Sequence, residues 1–222
     1  MSTNLIEAAE SGNVAAVQAL IAQGADVNAA SNGCTALMLA SSRGHDEVVQ
    51  ALLSKRADVN YKNKDGATAL FLAAQDNHIQ VVQALLAKGA EVNGWTNGET
   101  ALIVASARGH YGVVQELLTH GAEVNAKNPM GLTALILASF VGNKEIVQAL
   151  LENRSNVNAS GAGGITALHA AADGGHKDVA SILLSHGADV NSKGNWGTPL
   201  RSAAEKNHAD VVDLLRRAGG RE

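Results

Sequence analysis

The chain has few aromatic residues and only one cysteine. Two Phe, two Tyr and two Trp amount to 3% of the 222 residues, although hydrophobic residues together amount to 46%. The apolar residues are therefore mostly Ala, Leu and Val, whose small side chains allow helices to pack closely. The lone Cys34 excludes an internal disulfide framework and fits a reducing compartment.

An excess of charge of one sign and long apolar runs are also missing. The formal net charge is −4, with acidic and basic residues interspersed, so no surface favours a phosphate backbone or an anionic membrane. No segment approaches the roughly 18 consecutive apolar residues of a spanning helix, and the N-terminal residues lack the pattern of a targeting signal. We expect an intracellular protein, cytoplasmic or nuclear, that binds neither nucleic acid nor membrane.

A motif recurs along the whole chain at a nearly constant spacing. Gly-x-Thr followed by Ala-Leu, or Gly-Thr-Pro-Leu in one case, occurs at Thr35, Thr68, Thr100, Thr133, Thr166 and Thr198. The period is about 33 residues, within the range of repeat architectures. Counting back one further period from Thr35 reaches Thr3, so the chain holds seven repeats. In each repeat, Leu stands at the second position after this Thr and Ala stands at the fifth.

Each repeat predicts a first helix that begins at the Thr. Its hydroxyl can accept a hydrogen bond from the first turn as an N-cap, and the Leu and Ala positions form an apolar stripe. The helix should end at a residue in the left-handed αL conformation, because only Gly or Asn occupies that position and these two residue types tolerate this conformation. These positions are Gly12, Gly44, Asn77, Gly109, Gly142, Gly175 and Asn207.

A second helix follows, with Val, Val, Leu and Leu at helical spacing, as in residues 46–53. It should end at another left-handed position, which is Gly in five repeats. Arg56 and Arg154 replace this Gly in the other two. A side chain in that conformation costs about 1 kcal/mol, so these two joints should be locally weaker.

After each second helix, Ala-Asp-Val-Asn or a close variant leads into a polar, glycine-containing turn. Together with the Gly-x-Thr-Ala-Leu motif, this pattern resembles the ankyrin repeat. The resemblance covers almost the whole chain and implies an all-α solenoid of helix-turn-helix units joined by projecting β-hairpin loops. It implies one domain over residues 1–222, with repeats at residues 1–30, 31–63, 64–95, 96–128, 129–161, 162–193 and 194–222.

The chain departs from the family pattern at the His of its usual Thr-Pro-Leu-His. His stands there only at His169, and apolar residues replace it at Met38, Phe71, Ile103 and Ile136. Hydrogen bonding between repeats through this His is therefore not expected in most repeats, and Phe71 should lie in the core. At the ends, Glu7 and Arg216 stand where internal repeats carry apolar residues, as expected of an array capped on both sides.

Catalytic and metal-binding patterns do not emerge from the sequence. One repeat position holds His45, His78, His110, His176 and His208. A structural role explains these histidines, since neighbouring repeats stand about 10 Å apart, too far to share an ion. The glycine-rich residues 160–166 precede a helix but lack the Gly-Lys-Ser/Thr of a nucleotide-binding loop, so we interpret them as a flexible hairpin tip. We expect no enzyme, no cofactor and no metal.

Binding residues should occur where repeats differ and side chains are exposed. Two such sets are the hairpin tips and the pair before the first-helix Gly, which by family resemblance lines a concave, partner-binding surface. Most pairs are polar or small, and Phe140-Val141 is the exception. Interfaces favour aromatic anchors, so the candidate partner-binding residues are Tyr61, Trp95, Arg108, Met130, Phe140, Val141 and Trp196. The alternative is that each aromatic packs on its own hairpin.

The resemblance implies a monomeric protein-protein interaction module. A second hypothesis is a structural or engineered repeat scaffold with no natural partner, which the regular repeats would suit. The Phe140-Val141 pair and the Arg56 and Arg154 joints argue against a purely idealised design. The repeat names no partner, because packing explains nearly every residue and a fold does not imply a function.

Overall fold

The computed structural model describes residues 4–222, which form seven pairs of short α-helices. In chain order the helices are α1 Leu5–Glu10, α2 Val14–Ala22, α3 Ala36–Arg43, α4 Asp46–Ser54, α5 Ala69–Gln75, α6 Ile79–Ala87, α7 Ala101–Arg108, α8 Tyr111–Thr119, α9 Ala134–Val141, α10 Lys144–Glu152, α11 Ala167–Asp173, α12 Lys177–Ser185, α13 Pro199–Glu205 and α14 Ala209–Arg217. The predicted all-α repeat fold is confirmed. None of the helices in this part of the chain is long and apolar enough to cross a membrane.

The helices fall into two compact units. The N-terminal unit comprises Met1–Ala101 with Thr119–Ala122, and the C-terminal unit comprises Leu102–Leu118 with Glu123–Glu222. In the N-terminal unit the first helices α1, α3 and α5 pack in one layer and the second helices α2, α4 and α6 pack in another. The C-terminal unit repeats this arrangement with α9, α11 and α13 against α10, α12 and α14.

Threonine hydroxyls begin the first helices, as predicted. The Thr oxygens accept backbone N–H groups of the first helical turn at Thr35, Thr68, Thr133, Thr166 and Thr198. The helix of the first repeat begins differently. Thr3 lies outside the described residues, and α1 is capped by Asn4, whose side chain accepts from the Glu7 amide while Glu7 reaches back to the Asn4 amide. An Asn N-cap serves as well as Thr in this role.

Both sets of predicted left-handed residues have positive φ. Asn77 and Asn207 have φ of 64° and 60°, and the equivalent glycines share this conformation. Arg56 and Arg154 also adopt it, with φ of 61° and 66°. The two arginines are exposed, so their side chains do little to offset the backbone strain.

We expect Arg154→Gly to raise the free energy of unfolding by about 1 kcal/mol, because Gly adopts this conformation without the Cβ penalty. For a chain of this size, the melting temperature should rise by about 2–4 °C. Thermal melting followed by circular dichroism measures the change. The reverse substitution, Gly89→Ala, should lower stability by a similar amount, since nothing lies within 4 Å of a Cβ built there. A lower melting temperature for the Arg154 variant would contradict the strain argument.

The core is made of the repeated Leu, Val and Ala positions, with side chains such as Leu37, Leu52 and Leu70 almost fully buried. Phe71 is 7% exposed, which confirms its predicted place in the core. Glu7 and Arg216 are both exposed, so both end positions are in contact with solvent, as expected. Burial of the apolar side chains is the main stabilising contribution to the stack.

Neighbouring repeats are joined by the Asn of the Val-Asn pair. Asn158 accepts a hydrogen bond from the Asp189 amide at 2.8 Å and donates to the Gly187 carbonyl at 3.1 Å. Asn60 makes the same two bonds with Glu91 and Gly89. The Asn side chain therefore pairs backbone groups of the following repeat that a turn would otherwise leave open.

The hairpin tips of the described residues are not all alike. Two are paired strands, β1 Ala30–Ser31 with β2 Cys34–Thr35 and β3 Trp95–Thr96 with β4 Glu99–Thr100. Each is closed by Asn-Gly with positive φ at both residues, the combination that fits a two-residue hairpin. Elsewhere the tips have only a single β-bridge, or are turns closed by an Asn side chain.

Candidate functional site

The tips of the last three repeats pack directly on one another. The Ala162 amide donates to the Met130 carbonyl at 2.8 Å, and the Asn195 amide donates to the Gly163 carbonyl at 2.7 Å. A Cβ on Gly164 would lie 2.8 Å from the Lys193 carbonyl oxygen. The glycines of residues 160–166 therefore permit close backbone contact, whereas the sequence predicts only a flexible tip. Gly163 and Gly164 have φ of 71° and 76°, a left-handed backbone that favours glycine.

A groove of about 600 Å³ lies between these tips and the first helices of the C-terminal unit. Its apolar lining includes Leu132, Leu137, Phe140, Ile165 and Trp196. We call it the Phe140–Trp196 groove. Its volume lies within the range of about 300–1,000 Å³ that is usual for small-molecule pockets.

Two aromatic side chains stand at this groove while remaining largely in solvent. Phe140 lies in the last turn of α9 and is 58% exposed, and Trp196 lies in the last hairpin tip and is 64% exposed. Such a pair is unusual in a chain with six aromatics. Large exposed apolar side chains gathered in one place indicate an interaction site.

The Phe140 end of α9 is held from the next repeat. The imidazole Nε2 of His176 lies 2.9 Å from the Phe140 carbonyl oxygen, and a Cβ on Gly142 would meet the same ring. The equivalent histidines reach the preceding repeat in the same way, with His45 at 2.9 Å from the Glu10 oxygen and His208 at 2.9 Å from the Asp173 oxygen. The predicted structural role of the repeated His is confirmed for these residues.

The charged groups at the rim of the groove are paired with one another. Lys206 lies 3.9 Å from the Asp173 carboxylate, and Arg201 lies 2.7 Å from the Glu205 carboxylate. Two acids and two bases leave the rim close to neutral. The groove therefore offers apolar surface and little net charge.

His169 forms part of the wall. Its Nδ1 accepts a hydrogen bond from the Thr166 amide at 3.3 Å, so its Nε2 carries the proton and donates to the Gly197 carbonyl at 3.1 Å. This bond joins neighbouring repeats, as the resemblance implies for a His at this position. Burial lowers the pKa of His169 below its ordinary value of 6.5, and the Gly197 carbonyl and the charge of Asp189 oppose the effect. The neutral imidazole therefore predominates at neutral pH.

We expect the free energy of unfolding to fall as the pH is lowered through 6.5. The unfolded chain takes up a proton on His169 near that value, whereas the folded chain resists protonation until its lowered pKa is reached. The stability that this pKa difference contributes is fully present above pH 6.5. It is lost as the pH falls from 6.5 through the lowered pKa of folded His169. Urea unfolding from pH 7.5 to 5 measures it. His169→Met, which copies Met38 of the second repeat, should show a shallower acid slope, and an unchanged slope would contradict this assignment.

The predicted site residues lie in different places. Phe140 and Trp196 meet at the groove. Val141 and Met130 are exposed close by in sequence, but neither lines it, and Arg108 is exposed at the end of α7. In the N-terminal unit, Trp95 is exposed at a hairpin tip and Tyr61 is half-buried. Binding by any of these residues stays a prediction.

Sequence reasoning identified only Phe140 and Trp196 of the lining and missed the rest, including the apolar Leu132, Leu137 and Ile165. For two of these residues the sequence contained a signal. The middle position of Gly-x-Thr holds the large apolar residues Leu132 and Ile165 in the fifth and sixth repeats, whereas the earlier repeats carry Cys34, Ala67 or Glu99 there. Groups of three or more His, Cys, Asp or Glu side chains able to hold a metal ion are not found within residues 4–222.

Comparisons with known proteins agree with this architecture. A family model described as ankyrin repeats (3 copies) matches residues 5–94, 57–128, 94–161 and 158–221. Among solved structures, the ankyrin repeat domain of human ASB11 is 30% identical in sequence, with a TM-score of 0.89 over 100% of both chains. No curated protein sequence matches the chain.

Proposed function

Because the chain belongs to the ankyrin-repeat family, whose members generally bind other proteins, we propose that it is a protein-protein interaction module whose partner docks on the Phe140–Trp196 groove. The observation that carries this proposal is the exposure of two large aromatic side chains at one apolar groove. We assign no catalytic activity to the chain, and we propose that it acts as an intracellular monomer.

The energetics favour these two residues as anchors. Fully covered Phe and Trp side chains bury about 150–250 Å², and the parts still exposed here are 58% for Phe140 and 64% for Trp196. Covering those parts would contribute about 2–4 kcal/mol for each residue at roughly 25 cal/mol per Å², before ordering costs. A few buried aromatic residues usually dominate the affinity of an interface. Contacts by Tyr61, Trp95, Arg108, Met130 and Val141 would then add to the affinity in a secondary way.

The walls favour binding because they are already formed. The tips are hydrogen-bonded to one another, and the carbonyl of Phe140 is tied to His176. A partner would then not need to order this backbone, and a preorganised site loses less of its interaction energy to entropy. The alternative hypothesis, a scaffold with no partner, gives no reason for two solvated aromatics in this place.

Affinity capture from cell lysate with four matched proteins tests the proposal. The wild type is compared with Phe140→Asp, Trp196→Ala and Tyr111→Ala, the last being an exposed aromatic at the start of α8. We expect one partner to be retained by the wild type and the Tyr111 variant, and to bind both groove variants at least tenfold more weakly. All four should melt alike. Equal capture by all four would reject docking on the groove.

A further inference from the structure

Several backbone carbonyls that border the Phe140–Trp196 groove are already hydrogen-bonded within the protein. The carbonyls of Leu132, Ile165 and Gly197 accept from the amides of Asn128, Gly161 and Gly194, respectively. The tips also bond to one another, through Ala162 with Met130 and Asn195 with Gly163. The floor consists of helices, whose backbone groups pair internally. Within residues 126–198 the tips form only isolated β-bridges and no strand, so this part of the chain presents no open strand edge to which a peptide could add.

This pairing discriminates between two kinds of bound segment. An extended peptide pressed into an apolar groove would bury its own N–H and C=O groups without partners, which costs about 1–3 kcal/mol for each group. A helix pairs those groups within itself and presents only side chains. The lining thus favours a helix over a strand.

The length of the groove agrees with a helix of moderate size. Its lining comes from α9, α11 and α13, through Phe140, Ala170 and Glu205 among others. Helices pack about 8–10 Å apart, so the floor crosses two spacings, or about 16–20 Å. At 1.5 Å per residue, a helix of about 11–13 residues covers that distance.

The charges fit a segment whose buried face is uncharged. The rim acids Asp173 and Glu205 are paired with Lys206 and Arg201, so a charged side chain entering the groove would lose water without gaining an unpaired partner of opposite charge. Apolar side chains at positions i, i+4 and i+7 of a helix need no such partner and line up on one face.

We propose that the groove receives an amphipathic α-helix of the partner protein, about three turns long, whose apolar face covers Phe140 and Trp196. This inference rests on the proposed function of the groove and names the kind of partner segment that it binds. The helix lies across α9, α11 and α13 and keeps its polar face in solvent.

Two peptide-display libraries test this inference, each with peptides of about 14 residues, which is enough for three to four turns of helix. They have the same amino-acid composition, but one places apolar residues at helical spacing and the other alternates apolar and polar residues as in a strand. Both are selected on the full chain, with Phe140→Asp as the counter-selection. Binders are then measured by fluorescence polarisation on the wild type, Trp196→Ala and Tyr111→Ala, and by circular dichroism.

We expect groove-dependent binders to come from the helical library. They should bind the Phe140 and Trp196 variants at least tenfold more weakly and the Tyr111 variant unchanged, and they should gain helical dichroism when bound. A proline at the centre of such a peptide should weaken binding at least tenfold, because it breaks the helix. Groove-dependent binders from the alternating library would overturn the helix inference and leave docking on the groove standing. If neither library yields a binder that distinguishes wild type from Phe140→Asp, both proposals are rejected.

Discussion

Gly164→Ala should destabilise the protein by about 2–4 kcal/mol, a large effect for the addition of one methyl group. Gly164 has φ of 76°, where a Cβ costs about 1 kcal/mol in any surroundings. The new Cβ would also lie 2.8 Å from the Lys193 carbonyl oxygen and 3.0 Å from the Gly194 Cα. Overpacking of this kind costs about 1–3 kcal/mol more, since rigid backbone must move. Urea unfolding monitored by circular dichroism measures the total.

Gly187→Ala provides the matched control. Gly187 has φ of 83°, but nothing lies within 4 Å of a Cβ built there. It should show only the conformational cost of about 1 kcal/mol. The difference between the two variants reports the close contact of the hairpin tips. If both variants lost the same stability, the tips would not be packed as described, and the groove would lack one of its rigid walls.

Asn128→Ala should destabilise the protein by about 2 kcal/mol. The Asn128 side-chain oxygen accepts hydrogen bonds from the amides of Met130 at 3.0 Å and Leu132 at 2.9 Å, which closes the tip beside the groove. Asn128 is 6% exposed, so its replacement leaves two donors without a partner in a place that water reaches poorly. Thermal and urea unfolding measure the loss.

Two further variants make this result specific. Asn63 makes the same pair of bonds, to Asp65 and Ala67, but is only half-buried. Asn63→Ala should therefore cost less, because water can replace part of the lost bonding. Asn128→Asp keeps an acceptor oxygen in the same position and should recover most of the stability. An Asp variant as unstable as the Ala variant would show that the carbonyl acceptor is not what holds the turn.

Much of the fold is predictable from the sequence because its signals are local. Each of these features depends on a few neighbouring residues and recurs in several repeats. They are the Thr caps, the Gly and Asn residues of positive φ, and the strained Arg56 and Arg154. The position of Phe71 in the core and the solvent contact of Glu7 and Arg216 follow from comparing repeats with each other.

The groove is predictable only in part. Phe140 and Trp196 stand out as apolar residues at variable positions, yet they belong to the fifth and the seventh repeats and are distant in the sequence. Both residues line one groove because three repeats stack on one another and because glycines allow the hairpin tips of these repeats to pack closely. The same stacking determines that His169 is buried and hydrogen-bonded to Gly197, whereas a sequence shows only that a His is present.

The sequence by itself determined the repeat, its helices and turns, and the family, because these depend on short-range patterns that recur in phase. Tertiary structure alone decided which exposed residues share a surface, which tips are strands and which are turns, and which rim charges are paired. The physical reason is that these features depend on distances between residues of different repeats. Packing and hydrogen bonding across the stack determine those distances, and no single repeat encodes them.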